Sequence, residues 1–327
     1  MAKRSKRKYG MRKMEPAVMT VTINSPTVAP GATGSFYCDL SQIACLINRR
    51  FYRQGINWAV GGMKVLTAPN FSGNLTVKKI PTTWVAFQAY KAAFTAWNRQ
   101  QMEAVKESGA ESAVAAFRDF KIFADTTHVA AGYAANLLPL DGQSPAQPYA
   151  VGEWEPSQVI IPNAGAPGVN DERFLHMVGI NFDNVGSSRG IIEGYADSRA
   201  YPQSPDPVSP NLDSTNNWMS QMFDVGDNIG PVLDNATDTN DNLPYPQINY
   251  PGGEIQAPTL EIHDITSISA TTIGGQSRVK GGQFPCGLIR FDWAPSSQNT
   301  TSVNFVVQID LVPGMHRGYM CEKMLEA

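Results

Sequence analysis

Ten residues near the C-terminal end, Ser302 to Leu311, read SVNFVVQIDL. Val303, Phe305, Val307, Ile309 and Leu311 alternate with Ser302, Asn304, Gln308 and Asp310, and only Val306 breaks the rule. A period of two sends one set of side chains to each face of an extended ribbon, so the segment is a strand with one buried face. Pro313-Gly314 stops it. VMTVTIN, at 18–24, repeats the pattern near the other end, with Met19, Val21 and Ile23 opposite Thr20, Thr22 and Asn24. Two such strands near the two ends predict a sheet domain to which both belong.

Seven further segments read as strands. They are INWAVGGMKVL (56–66), NLTVKKI (74–80), DFKIF (119–123), SQVII (157–161), RFLHMVGINF (173–182), LEIHDITSI (260–268) and CGLIRFDW (286–293). In the last, Ile289, Phe291 and Trp293 oppose Arg290 and Asp292. The segments do not alternate regularly with helices, which favours an antiparallel sandwich or barrel over a parallel sheet. GGQSRVKGGQ, 274–283, is glycine-rich at both ends and reads as a hairpin turn.

Helices interrupt the strands. LSQIACLINRRFYRQ, from Leu40, has Ser41 as its candidate cap and Ile43, Leu46, Ile47 and Phe51 on one side. The strongest helix covers about 83–108, where Trp84, Phe87, Tyr90, Phe94, Trp97 and Val105 form a stripe at spacings of three and four. Such a stripe packs into a core more often than it forms a groove. RGIIEGYADSRA and NNWMSQMF are shorter helix candidates. Three stretches, 136–156, 200–216 and 224–259, read as long loops.

The charge is divided unevenly. The first thirteen residues, MAKRSKRKYGMRK, hold Lys3, Arg4, Lys6, Arg7, Lys8, Arg12 and Lys13 and no acid. The whole chain carries −3, so removing this +7 leaves −10 for residues 14–327. A block of like charge with almost nothing apolar to bury does not fold alone; it acts as a tail. Its natural partner is a polyanion, because each cation that neutralises a phosphate releases condensed counterions. A merely solvated tail or a nuclear import signal has the same composition, and one segment can serve both roles. Tyr9 adds a stacking ring inside the run. NRRFYRQ is the second densest basic spot, with Arg49, Arg50 and Arg53 around Phe51 and Tyr52; it extends the tail's positive surface only if it faces the same side.

The four cysteines, Cys38, Cys45, Cys286 and Cys321, are too few and too scattered for a disulfide framework or a zinc cluster. They read as small buried hydrophobes in a reducing compartment. No apolar run follows the basic start as in a signal peptide, and none approaches the roughly 18 residues of a membrane span. The expectation is an intracellular soluble protein or part of a soluble assembly.

Enzyme signatures are missing. There is no phosphate loop, no G-x-S-x-G elbow, no H-E-x-x-H and no Cys-x-x-Cys pair. His128, His176, His263 and His316 lie far apart and read as satisfied core or surface histidines, and ADTTH around Asp125 carries no known spacing. Asp224, Asp227, Asp234, Asp238 and Asp241 lack the fixed spacing of a calcium loop. No catalytic residue, metal site or cofactor is therefore expected.

LINRRFYRQGINWAV, PNFSGNLTVKKIPTTWVAFQAYKAAFTAW, DFKIFAD, YPGG and GGQFPCGLIRFDW follow the basic arm in order. Together they resemble the capsid proteins of circular, Rep-encoding single-stranded DNA (CRESS-DNA) viruses, the environmental and aquatic ones above all. The resemblance runs from the arm to about Gly314. It implies an all-β fold: a single jelly-roll sandwich of two antiparallel four-stranded sheets, with helical and loop insertions, spanning 17–327 behind an arm at 1–16. It also implies self-assembly into an icosahedral shell of 60 copies or a multiple. The shell would package a circular single-stranded DNA genome through non-specific phosphate contacts. The implied places are the virion and, during assembly, the host nucleus, reached through host import machinery. Genome contact falls on the seven arm cations and Tyr9, then on Arg49, Arg50 and Arg53. Two rivals stand beside it: a host β-sandwich nucleic-acid-binding protein, and a sugar-binding or sugar-active jelly roll suggested by Trp154 between Glu153 and Glu155.

Overall fold

In a computed structural model of the chain, the residues described are 16–114, 118–162, 169–180, 188–198, 201–202, 207–208, 219, 259–269 and 276–326. The period-two segments make the frame. Its elements run β1 (Thr20–Asn24), β2 (Gly34–Asp39), α1 (Leu40–Asn48), β3 (Ile56–Leu66), β4 (Gly73–Lys79), α2 (Trp84–Glu107), α3 (Thr126–Ala131), β5 (Gln158–Pro162), β6 (Asn170–His176), β7 (Ser188–Gly190), α4 (Ile191–Ser198), β8 (Glu261–Ile268), β9 (Gln276–Phe284), β10 (Leu288–Pro295), β11 (Val306–Leu311) and β12 (Cys321–Lys323).

Two antiparallel sheets form a sandwich. One has the order β1-β11-β3-β9, with β12 added beside the start of β3; the other has the order β8-β4-β10-β2. Alternation decides which residues meet between them. Val21 and Ile23 of β1, Val307, Ile309 and Leu311 of β11, Leu75 and Val77 of β4, and Ile289, Phe291 and Trp293 of β10 are buried in one shared core. Each such side chain contributes about 1.5–3 kcal/mol by leaving water. Phe305, which precedes β11, packs edge-on to Phe36 at 6.0 Å and beside Trp293 at 5.7 Å.

The open sides of the sandwich are closed by different devices. Leu137 donates its N–H to the Tyr37 carbonyl (2.7 Å) and Leu140 donates to that of Thr22 (2.9 Å), so part of the 136–156 loop seals the gap between β1 and β2. On the opposite side the register of β8 shifts between Ile262 and Asp264. There the His263 Nε2–H donates to the Lys280 carbonyl (2.9 Å), and Asp264 accepts from the Lys280 N–H (2.9 Å). Capping the edges in this way satisfies groups that would otherwise pair with another chain.

The segment between β4 and β8 builds a second core. Thr83 caps α2, accepting from the Ala86 N–H at 3.3 Å. Phe87, Tyr90 and Trp97 of the aromatic stripe are buried, and Trp97 and Tyr90 lie 5.3 and 5.6 Å from Phe120. Trp84 departs from this, at 37% exposed. A small sheet, β5-β6-β7, carries a parallel β6–β7 pair.

Several expectations change. Residues 119–123 are not a strand: only Phe123 makes a bridge, to His176, and Phe120 and Ile122 are held by side-chain packing instead of a ladder. The supposed hairpin turn at 274–283 is, from Gln276 onward, strand β9 paired with β3. Its glycines serve close approach, since a Cβ on Gly281 would lie 2.4 Å from the Gly61 carbonyl oxygen. Helix α1 is capped by Asp39, not Ser41, and ends at Asn48 before Phe51. The Ser41 hydroxyl accepts from Trp58 Nε1 at 3.0 Å. The arm at 1–13, the 224–241 aspartates and most of the 200–216 and 224–259 stretches lie outside the described residues.

Candidate nucleic-acid interface

The arm's root is described even though the arm is not. Arg50 Nη1 donates to the Pro16 carbonyl (2.9 Å), the Val18 N–H donates to Asn48 Oδ1 (3.1 Å), and the Tyr319 hydroxyl donates to the Val18 carbonyl (2.7 Å). The chain therefore leaves the body beside the 49–53 basic spot. Arg50 thus touches Pro16, the first described residue of the chain.

Local structure explains why the arginines point outward. Helix α1 ends with Arg49 at φ 52°, a left-handed turn that sends the chain back on itself. The Cys45 sulfur accepts from the Tyr52 N–H at 3.1 Å, which holds the returning strand of chain against the helix. Tyr52 is buried against Trp58 and Tyr319, at 6.0 and 5.6 Å, and donates to the Arg317 carbonyl (3.0 Å). Gln54 is buried too. Its side chain accepts from the Ile122 N–H (2.6 Å) and donates to Asp39 Oδ2 (2.9 Å) and the Ile122 carbonyl (3.0 Å). With 52 and 54 turned in, Arg53 is turned out.

Two clefts flank this connector and share Phe51. One is lined by Arg49, Arg50 and Lys121, with Glu153 and Trp154. The other is lined by Arg53, Arg118, Arg317 and Lys323, with Asp119. Seven cations line them against the carboxylates of Glu153 and Asp119, and Glu326 pairs with Lys323. Arg49 and Arg53 are exposed and make no ion pair among the described residues. Lys121 lies 4.6 Å from the centre of the Trp154 ring, a cation–π contact. Arg317 Nη1 donates to the Phe51 carbonyl. Arg118, Lys121, Arg317 and Lys323 were missed by the sequence reading. Each is a single cation in an unremarkable local pattern, and they converge on the 49–53 connector from two distant chain segments.

Asp39 lies under the connector and gives it a pH dependence. It accepts from the Ser41 and Gln42 N–H groups (2.8 and 3.3 Å). Burial pushes its carboxyl up to about 7, against the pull of its three donors and with Asp119 adding to the rise. A folded pKa above the unfolded one stabilises the fold below about pH 4, and that contribution is lost as pH rises through 7, roughly 4 kcal/mol in all. His128 works in the opposite sense. Burial holds its imidazole down to about 4, so its contribution is present above 6.5 and lost as pH falls to 4. Urea unfolding at pH 5 and pH 8 should therefore show wild type gaining on Asp39→Asn as pH falls, by a few kcal/mol. A pH-independent difference would show that Asp39 does not titrate in this range.

The polar cluster around Arg290 is structural. Arg290 bridges Asp125 (2.8 Å) and Asp292 (2.7 Å) on the outer face of β10, and Lys78 joins Asp292 at 2.8 Å. Asp125 also accepts from the Tyr37 hydroxyl (2.7 Å) and caps α3 through the His128 N–H (2.8 Å). The ADTTH segment thus pins the insertion to the sheet. Among the described residues no group of three His, Cys, Asp or Glu is placed to hold a metal, and no helix is long and apolar enough to cross a membrane. Comparison with protein-family models, with curated proteins and with solved structures returns no match.

Proposed function

We propose that the chain is a viral capsid protein whose body is a single jelly roll, self-assembling into an icosahedral shell around single-stranded DNA. The observation that carries the reading is the strand order. Counting the eight long sandwich strands along the chain, the sheets run 1-8-3-6 and 5-4-7-2, all antiparallel. This is the order of Greek keys folded into two facing sheets, the architecture used by viral shells and also by lectins.

Polarity supports the shell over the lectin. The connections β1–β2, β3–β4 and β10–β11 meet at one end, where Gly31 N–H donates to the Pro295 carbonyl and Ser72 N–H to Asn299 Oδ1. The arm root, the α1 connector, the long insertion and the cationic clefts belong to the other end. The arm root and the clefts set cations together at that end, which suits a closed wall with polyanion on one side, while the insertion at the same end holds more acids than bases and accounts for the body's net −10. With about 60 copies, seven arm charges each place roughly +420 in the interior. The sugar reading loses its best hint, because Trp154 is only 7% exposed and its ring is covered by Lys121. The reading places the protein in the virion and, during assembly, in the host nucleus, where the basic run also serves import.

Negative-stain imaging of the purified full chain across a range of salt tests this. Closed shells of uniform diameter are expected. Monomers or dimers at every salt concentration would leave the host nucleic-acid-binding rival in place.

A further inference from the structure

The cleft at Arg53 encloses about 360 Å³, the size class of a small-ligand pocket. Its lining mixes cations and rings. Arg53, Arg118, Arg317 and Lys323 line it together with Phe51 and Phe94. Arg317 donates to the Phe51 carbonyl, and Lys323 pairs with Glu326 beside the cleft. The only described carboxylate lining it, Asp119, already accepts from the Gln54 N–H at 3.2 and 3.3 Å. Gly55 keeps the floor in place, because a Cβ there would lie 2.2 Å from the Tyr90 hydroxyl oxygen. Excess positive charge selects a phosphate, and adjoining aromatic rings select something flat attached to it.

We propose that this cleft holds one nucleotide unit of single-stranded nucleic acid, its phosphate against Arg53, Arg317 and Lys323 and its base against Phe51 and Phe94. The inference rests on the packaging reading for its partner and adds a fixed site on the body to the arm. A bare phosphate would leave the aromatic rings unused, and an acidic peptide would offer them no flat ring.

The test is photo-crosslinking of the full chain to a pentathymidylate with a central 5-iodouracil, mapped by mass spectrometry. Adducts are expected at Phe51 or Phe94 as well as in the arm. In Arg53→Glu/Lys323→Glu, two exposed positions, cleft adducts should fall roughly tenfold while arm adducts and the melting temperature stay unchanged. Adducts confined to the arm overturn the proposal. So does displacement of cleft adducts by a glutamate peptide of equal charge as effectively as by unlabelled thymidylate, since the aromatic rings would then have no part. Cleft adducts without shell formation would uphold the site and sink the capsid reading; DNA-filled shells without cleft adducts would do the reverse.

Discussion

Particles assembled from a chain lacking residues 2–13 are expected to keep their shape and lose most of their nucleic acid. The deletion removes seven cations from a segment that precedes the first described residue. Each neutralised phosphate of a single strand contributes about 0.7 to the slope of log K against log salt, so the arm accounts for a slope of about 5. At physiological salt that amounts to several decades of affinity. The clefts at Arg49, Arg50 and Arg53 remain, so a weaker and less salt-sensitive binding should persist. Ultraviolet absorbance ratios of purified particles read the loss directly. Equal DNA content in truncated and full-length particles would remove the arm from packaging.

Trp58→Ala is the substitution expected to cost the body most. Trp58 is fully buried between Tyr52 and Tyr319, its Nε1 donates to Ser41, and the Gly287 turn packs against its ring so closely that a Cβ there would come within 2.9 Å. Truncating a buried tryptophan leaves a cavity and costs about 3–5 kcal/mol. For a domain of this size that lowers the melting temperature by about 5–8 °C. The same residue ties α1 to β3 and backs the connector that presents Arg53, so nucleic-acid binding should weaken beyond the loss of stability. Trp84→Ala, at a position 37% exposed, is the control and should change the melting temperature little. Similar effects from both would mean that the buried aromatic cluster does not hold the sandwich together.

The frame was legible where local pattern carries the information. Alternation in 303–311 and 289–293 named residues that the structure buries between the sheets, and the 3.6-residue stripe placed α2 at Trp84–Glu107, within a residue of its reading. Errors came where glycine or competing polar groups obscured the pattern. Gly281 and Gly282 signal a turn, yet they sit within β9, where a Cβ on Gly281 would strike the β3 backbone and one on Gly282 the His263 ring of β8. Phe120 and Ile122 have strand spacing, but no neighbouring strand is there to bond them. Ser41 looks like a cap, and Asp39, two residues earlier, performs that role.

Local patterns specify a mostly β body with long insertions, one aromatic helix and a concentrated positive charge at one end, because periodicity and composition are properties of short stretches. Which strands are neighbours, and so which connections share an end of the sandwich, follows only from the folded chain. That choice brings Arg118, Lys121, Arg317 and Lys323 beside Arg49, Arg50 and Arg53 and sets the arm's root against them. Charges more than two hundred residues apart can converge only when the chain has crossed between two sheets, and no local spacing records that crossing.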